Sequence, residues 1–201
     1  MCSSDLLRWY RDTFGAAEQL VAGRAGLDVY DLLTAQIPAG LSPVMLLPHF
    51  LGSGTPSCDP TSKGALLGLT LSTTRGDIIK AILEGVCFEM RANLESLARA
   101  GVQVRTVRAV GGGARSPAWL QLKADILGCP VSTVKVSEAG CQAMAMLAGV
   151  ATGVYGSLVE AVQATVRVSG EFQPRDQEVY EERYAVYRDI YPALRPLNRR
   201  L

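Results

Sequence analysis

The stretch that most constrains this chain is Val107 to Val131, VRAVGGGARSPAWLQLKADILGCPV. Val107, Ala109 and Val110 form a short apolar run without a turn former, which predicts a covered β-strand. Gly111, Gly112 and Gly113 follow. Glycine accepts positive φ and lets another group touch the backbone where no Cβ intervenes. Ser116 suits a helix N-cap and Pro117 the first helical position. The glycines therefore lie just before a helix N-terminus, where free N–H groups favour polar or anionic atoms. Leu120, Ala124 and Leu127 give that helix an apolar face, and Gly128 ends it. A second strand is expected over Pro130 to Val136.

These residues alone leave two readings, a ligand-binding turn or a tight βα turn that serves backbone geometry only. The dinucleotide fingerprint needs glycine at its first, third and sixth positions. Gly111 and Gly113 fit it, and Ser116 does not. The Gly-Lys-Ser/Thr of a phosphate loop is absent.

The remaining chain reads as alternating helices and strands, hence α/β. Leu6, Leu7, Trp9, Tyr10 and Phe14 predict a first helix, capped by Ser3 or Ser4, that must pack on something. A short helix is expected over Val29 to Gln36, and a buried strand over Val44 to Leu47. Pro48 to Lys63 reads as a long irregular loop. Thr74 and Asp77 make a variant capping box for a helix to about Ala100, whose apolar stripe is Ile78, Ile82, Val86, Met90, Leu94 and Leu97. Ser137 is expected to start an Ala/Gly-rich helix able to approach a neighbour closely. Ser157 and Glu160 form a capping box for the next. Pro174 is expected to open the last helix, with Val179, Tyr180, Tyr184, Tyr187 and Tyr191 along one side and a tail from Pro192 and Pro196 onward.

Composition narrows the function classes. The net charge of +1 gives no electrostatic case for nucleic acid or an acidic membrane as main partner. No apolar run is long enough to span a bilayer, and charges interrupt the N-terminus too early for a signal peptide. The five cysteines are scattered without a C-x-x-C pair, against zinc or a disulfide framework and in favour of a reducing cytoplasm. The sole histidine, His49, excludes a His-rich metal site and reads as structural.

Four stretches resemble one family. Gly64-Ala-Leu-Leu-Gly68-Leu69, followed after residues 70–76 by Asp77-Ile-Ile-Lys-Ala-Ile-Leu-Glu84, fits the second signature of the FGGY carbohydrate kinases. VGGGARSPAWLQLKADILG resembles their adenosine motif, and EAGCQAMAMLAGVATGVY their second connecting helix. LLRWYRDTFG and Gly52 to Pro56 resemble the segments before the signature. The nearest branch is xylulokinase-like.

The resemblance implies a ribonuclease-H-like second domain of the sugar kinase, actin and heat-shock ATPase superfamily, with a mixed sheet flanked by helices. Residues 1–201 would be its nucleotide-binding part, without its first strands. The activity implied is transfer of the ATP γ-phosphate to a sugar hydroxyl, with Mg2+ bridging the phosphates. ATP or ADP would lie against Gly111, Gly112, Gly113 and Ala114, with Ser116 and Pro117 at the helix start and Arg8 nearby. The Gly/Ala-rich face around Ala139 to Ala148 would pack beneath that motif. The family's catalytic aspartate, phosphate motifs and sugar-binding residues precede the matched region. The chain alone is thus expected to hold no catalytic or metal-ligating residue, and the sugar to bind through a further N-terminal domain. The alternative is an inactive remnant that binds nucleotide or a partner, with a homodimer formed through an exposed apolar first helix.

Overall fold

The computed structural model describes residues 5–136 and 138–201. The caps expected at Ser3 or Ser4, and the helix start at Ser137, lie outside the described residues. Three helices open the described chain: α1 (Asp5–Phe14), α2 (Ala16–Ala25) and α3 (Val29–Thr34). Strands β1 (Met45–Leu47) and β2 (Ala65–Leu67) pair antiparallel and lead into the long helix α4 (Arg75–Arg99). Next come β3 (Val107–Ala109), a 3-10 turn at Gly112–Ala114, α5 (Pro117–Leu127) and β4 (Val131–Val134). The chain continues through α6 (Ala139–Ala151), α7 (Leu158–Thr165), β5 (Val168–Phe172) and α8 (Gln177–Asn198). The second sheet has the order β3-β4-β5, parallel between the first pair and antiparallel between the second. This is the α/β class with a mixed sheet that the sequence implied.

The core gathers around α4. Ile79, Ala81, Ile82, Leu83, Val86, Cys87 and Phe88 are all buried, so the first half of the helix is covered on more than one face. The expected stripe misplaces that burial: Ile78 is only half-buried and Leu97 is exposed. α1, β1, α5 and α8 pack around this half, which leaves its C-terminal turns closer to solvent. Thr74 and Asp77 form the complete capping box. Thr74→Ala is expected to cost about 1 kcal/mol, read as a lower denaturant midpoint at unchanged slope.

Leu6, Leu7 and Tyr10 of α1 are buried in this core, which removes the reason given above for a homodimer through that helix. On α1 only Phe14 is exposed among the large apolar side chains, and a further group of exposed ones lies on α6, α7 and their connection, at Met144, Leu147, Val154, Leu158 and Val159. The small-residue helix α6 packs mainly on α7 and buries none of its own side chains. The placement expected for it, beneath the glycine turn, is not seen.

Several local expectations change. α2 was not foreseen. β3 is half-exposed and Val110 exposed, because the helix cover on this sheet comes from α5, whose Leu120 and Ala124 meet Val131. Ser157 caps α7, but Glu160 reaches back to the Gly156 amide rather than completing a box. α8 starts at Gln177 and continues through Pro192 and Pro196 to Asn198. Tyr180, Tyr184 and Tyr187 are buried along it, whereas Val179 faces solvent. Phe88 meets the three tyrosine rings, with centroids 5.2–6.4 Å away. Among the described residues no helix is long and apolar enough to cross a membrane, and Cys58, Cys87, Cys129 and Cys141 are free.

Candidate functional site

The glycine turn is built as its residues suggest. Gly111 has φ +75°, and the following Ala114 amide donates to the Gly111 carbonyl at 3.0 Å. Ser116 accepts the Trp119 amide at 3.3 Å and Pro117 begins α5. Lys123, buried one turn further on, donates its Nζ to the Gly113 carbonyl at 2.8 Å. The same ammonium lies 4.1 Å from the centroid of the Trp119 ring. This pairing ties the turn to the body of α5.

The turn faces a cleft of about 330 Å3. One wall is Leu7 and Arg8 of α1 with Asp28, Tyr30, Asp31 and Thr34 at the start of α3. The other is Gly112, Arg115, Ser116 and Trp119. Three residues singled out from the sequence, Arg8, Gly112 and Ser116, therefore share one cavity despite their separation in the chain. Gly111, Gly113, Ala114 and Pro117 form the frame behind it and do not line it. An added Cβ at Gly112 would meet nothing within 4 Å, so that glycine opens onto free space.

The first wall is fixed by polar contacts. Asp28 caps α3 through the Tyr30 amide at 2.8 Å. The Arg11 guanidinium donates to the Tyr30 hydroxyl at 2.9 Å, which joins α1 to α3. Arg75 pairs with Glu18 at 2.7 Å and holds α2 against the N-terminus of α4. The cleft thus carries two guanidiniums, Arg8 and Arg115, and two carboxylates, Asp28 and Asp31. Guanidiniums suit phosphate oxygens, and carboxylates suit hydroxyl or amine donors. A glycine face with free space suits a planar ring or a sugar. The arrangement can bind and orient a ligand of about nucleoside size.

Sequence reasoning missed Asp28, Tyr30, Asp31, Thr34, Arg115 and Trp119. Arg115 carried a signal, a cation beside three glycines. Trp119 reaches the cleft from α5, three residues after Ser116, and Asp28, Tyr30, Asp31 and Thr34 reach it only through the packing of α1 against α3. Among the described residues no group of three His, Cys, Asp or Glu side chains could hold a metal ion.

The solved sugar kinases on which this mixed sheet and its helices superimpose have the sugar kinase, actin and heat-shock ATPase fold. The comparisons narrow that class. Residues 1–152 match the model of the FGGY family of carbohydrate kinases, C-terminal domain, and the chain belongs to that family. It is similar to the xylulose kinase of Bacillus subtilis, with 30% identity over 96% of this chain and 38% of the relative. It is also similar to glycerol kinase 2 of Saccharolobus solfataricus, with 33% identity over 91% of this chain and 35% of the relative. The solved ligand-bound xylulose kinase of Lactobacillus acidophilus superimposes with a TM-score of 0.74 and 26% identity, over 93% of this chain and 37% of that one. The chain spans about two-fifths of the length of the curated relatives it matches.

Proposed function

We propose that this chain is the adenine-nucleotide-binding part of an ATP-dependent carbohydrate kinase, acting on a xylulose-like ketose or a related polyol. The observation that carries the reading is the cleft that unites Arg8, Gly112 and Ser116 in a member of this family. Adenosine would lie against Gly112 and the 3-10 turn, between α1 and the start of α5. Arg8 and Arg115 supply the positive charge a polyphosphate requires. Gly111, Gly113, Ala114 and Pro117 would hold the turn's shape, with Lys123 fixing the Gly113 carbonyl.

When bound, ATP supplies the phosphoryl group, and transfer is largely a matter of positioning and charge stabilisation. This chain's share is binding and orientation. Mg2+ would enter this site with the nucleotide phosphates. The sugar and the base that takes its proton belong to a further domain. On this reading the chain alone binds nucleotide and does not phosphorylate sugar.

Gly112→Asp tests the site. The open space at Gly112 lets the fold accept the side chain, while its bulk and negative charge enter the cleft. Calorimetric titration with ADP is expected to show a loss of at least about tenfold in affinity, or about 1.4 kcal/mol. Circular dichroism and melting temperature should be unchanged. Equal ADP affinity in both proteins would overturn the assignment.

A further inference from the structure

We infer that the larger cleft between the 48–55 loop and α4 is a second binding site, for a small uncharged polyhydroxylated molecule. The cleft measures about 530 Å3, and His49, Ser53, Thr55, Glu89 and Asn93 are the polar side chains that line it. It shares no lining residue with the glycine-turn cleft.

Three polar atoms here have their other sides already committed. His49 is 3% exposed. Its Nδ1 lies 2.7 Å from the Ser62 hydroxyl, and Tyr191 packs edge-on to the ring. Its Nε2 is buried without a protein hydrogen-bond partner, 3.4 Å from Glu89 Oε1 but not aligned to bond it. Glu89 Oε2 accepts the Tyr187 hydroxyl at 2.7 Å, which leaves Oε1 for the cleft. Asn93 donates its Nδ2 to the Glu89 carbonyl at 3.1 Å, and its Oδ1 is buried without a partner. Glu89 and Asn93 stand one helical turn apart on α4 and present to the same side.

Buried polar atoms left unmatched cost about 1–3 kcal/mol each, so native folds pair nearly all of them. Two such atoms beside a half-used carboxylate mark a place that a ligand completes. The carboxylate and amide oxygens accept only. His49 Nε2 donates or accepts according to its tautomer. A molecule with several hydroxyl groups satisfies all three, because each hydroxyl donates one proton and also accepts. Val86, Met90 and Leu51 line the remainder and suit a carbon chain. No Lys or Arg lines the cleft, and Glu89 is negative, so phosphorylated compounds are disfavoured. Ser62 is buried behind the ring and does not line the cleft. The Ser62–His49–Glu89 row therefore positions the imidazole rather than attacking a ligand.

His49 is the only histidine in the sequence, so isotope-labelled histidine gives one ring signal. Titration of the 201-residue chain with sorbitol, followed by NMR at the His49 ring, is expected to give a saturable shift at millimolar concentrations. Sorbitol 6-phosphate should give none. Asn93→Ala and Glu89→Gln should each weaken the response at least about fivefold while keeping the folded spectrum. Glu89→Gln retains an acceptor for Tyr187, so the ring's surroundings persist. Gly112→Asp, which acts at the other cleft, should leave the sorbitol response intact even if the nucleotide reading fails. No saturable shift with sorbitol, an equal response to its phosphate, or an unchanged response in both variants would overturn the inference.

Discussion

Gly85→Ala is expected to destabilise the protein by about 3 kcal/mol, at the upper end of ordinary overpacking costs. Gly85 lies in the buried half of α4, where that helix crosses β1. A Cβ there would sit 2.3 Å from the Leu46 carbonyl oxygen and 3.2 Å from its carbon. Both are backbone atoms, and β1 is held in register by β2, so neither side can yield by a side-chain rotation. The sign makes the test sharp. Glycine to alanine inside an unconstrained helix is stabilising by up to about 1 kcal/mol. Gly23 in α2 is such a site, since an added Cβ would meet nothing within 4 Å. Urea denaturation of both variants should move the midpoints in opposite directions. A stable Gly85→Ala protein would mean that α4 and β1 do not approach as closely as described.

Glu84→Gln is expected to raise stability at pH 8 by roughly 3 kcal/mol and to leave it nearly unchanged at pH 4. Burial pushes the Glu84 carboxyl from 4.5 up to about 7, against the opposing pull of the Ser42 amide, Lys80 and Arg183. The folded state therefore holds this proton more tightly than the unfolded chain does. Stability from that proton is complete below about pH 4.5 and is lost as pH rises through 7. Glutamine keeps an acceptor for the Ser42 amide, which Glu84 Oε1 now receives at 3.2 Å, and never ionises. Lys80 and Arg183 do not depend on Glu84 alone: Lys80 donates to the Pro38 and Gly40 carbonyls, and Arg183 to those of Ser42 and Val44. The difference between wild type and variant, followed by denaturant midpoint from pH 4 to 8, isolates this group from others that titrate there. A variant several kcal/mol less stable at pH 8 would show instead that ionised Glu84 is the required counter-ion of that pair.

Local signals carried much of the fold. The Thr74–Asp77 box and an apolar run of helical spacing located α4, and three glycines followed by Ser-Pro located the turn and α5. Where the reading failed, the information was non-local or the element short. α2 has a single buried side chain, Ala22, and exposes Leu20 and Val21, so no periodic stripe announces it. β2 and β5 have three and five residues and lie half-exposed at sheet edges, where alternation is too brief to read. Pro192 and Pro196 read as terminators, yet α8 carries both in its last turns. The candidate cleft was half legible. Arg8, Gly112 and Ser116 stood in stretches that drew notice, but Asp28 and Asp31 reach it only because α3 folds back on α1.

Adenine nucleotide is proposed to occupy the cleft between α1 and the glycine turn. Photocrosslinking with 8-azido-ADP, followed by mass-spectrometric mapping of the adducts, tests it most directly. Adducts confined to residues 7–34 and 112–119, and suppressed by excess ADP, are expected. ADP-suppressible adducts elsewhere, at the 48–55 loop or α6 for example, would contradict it.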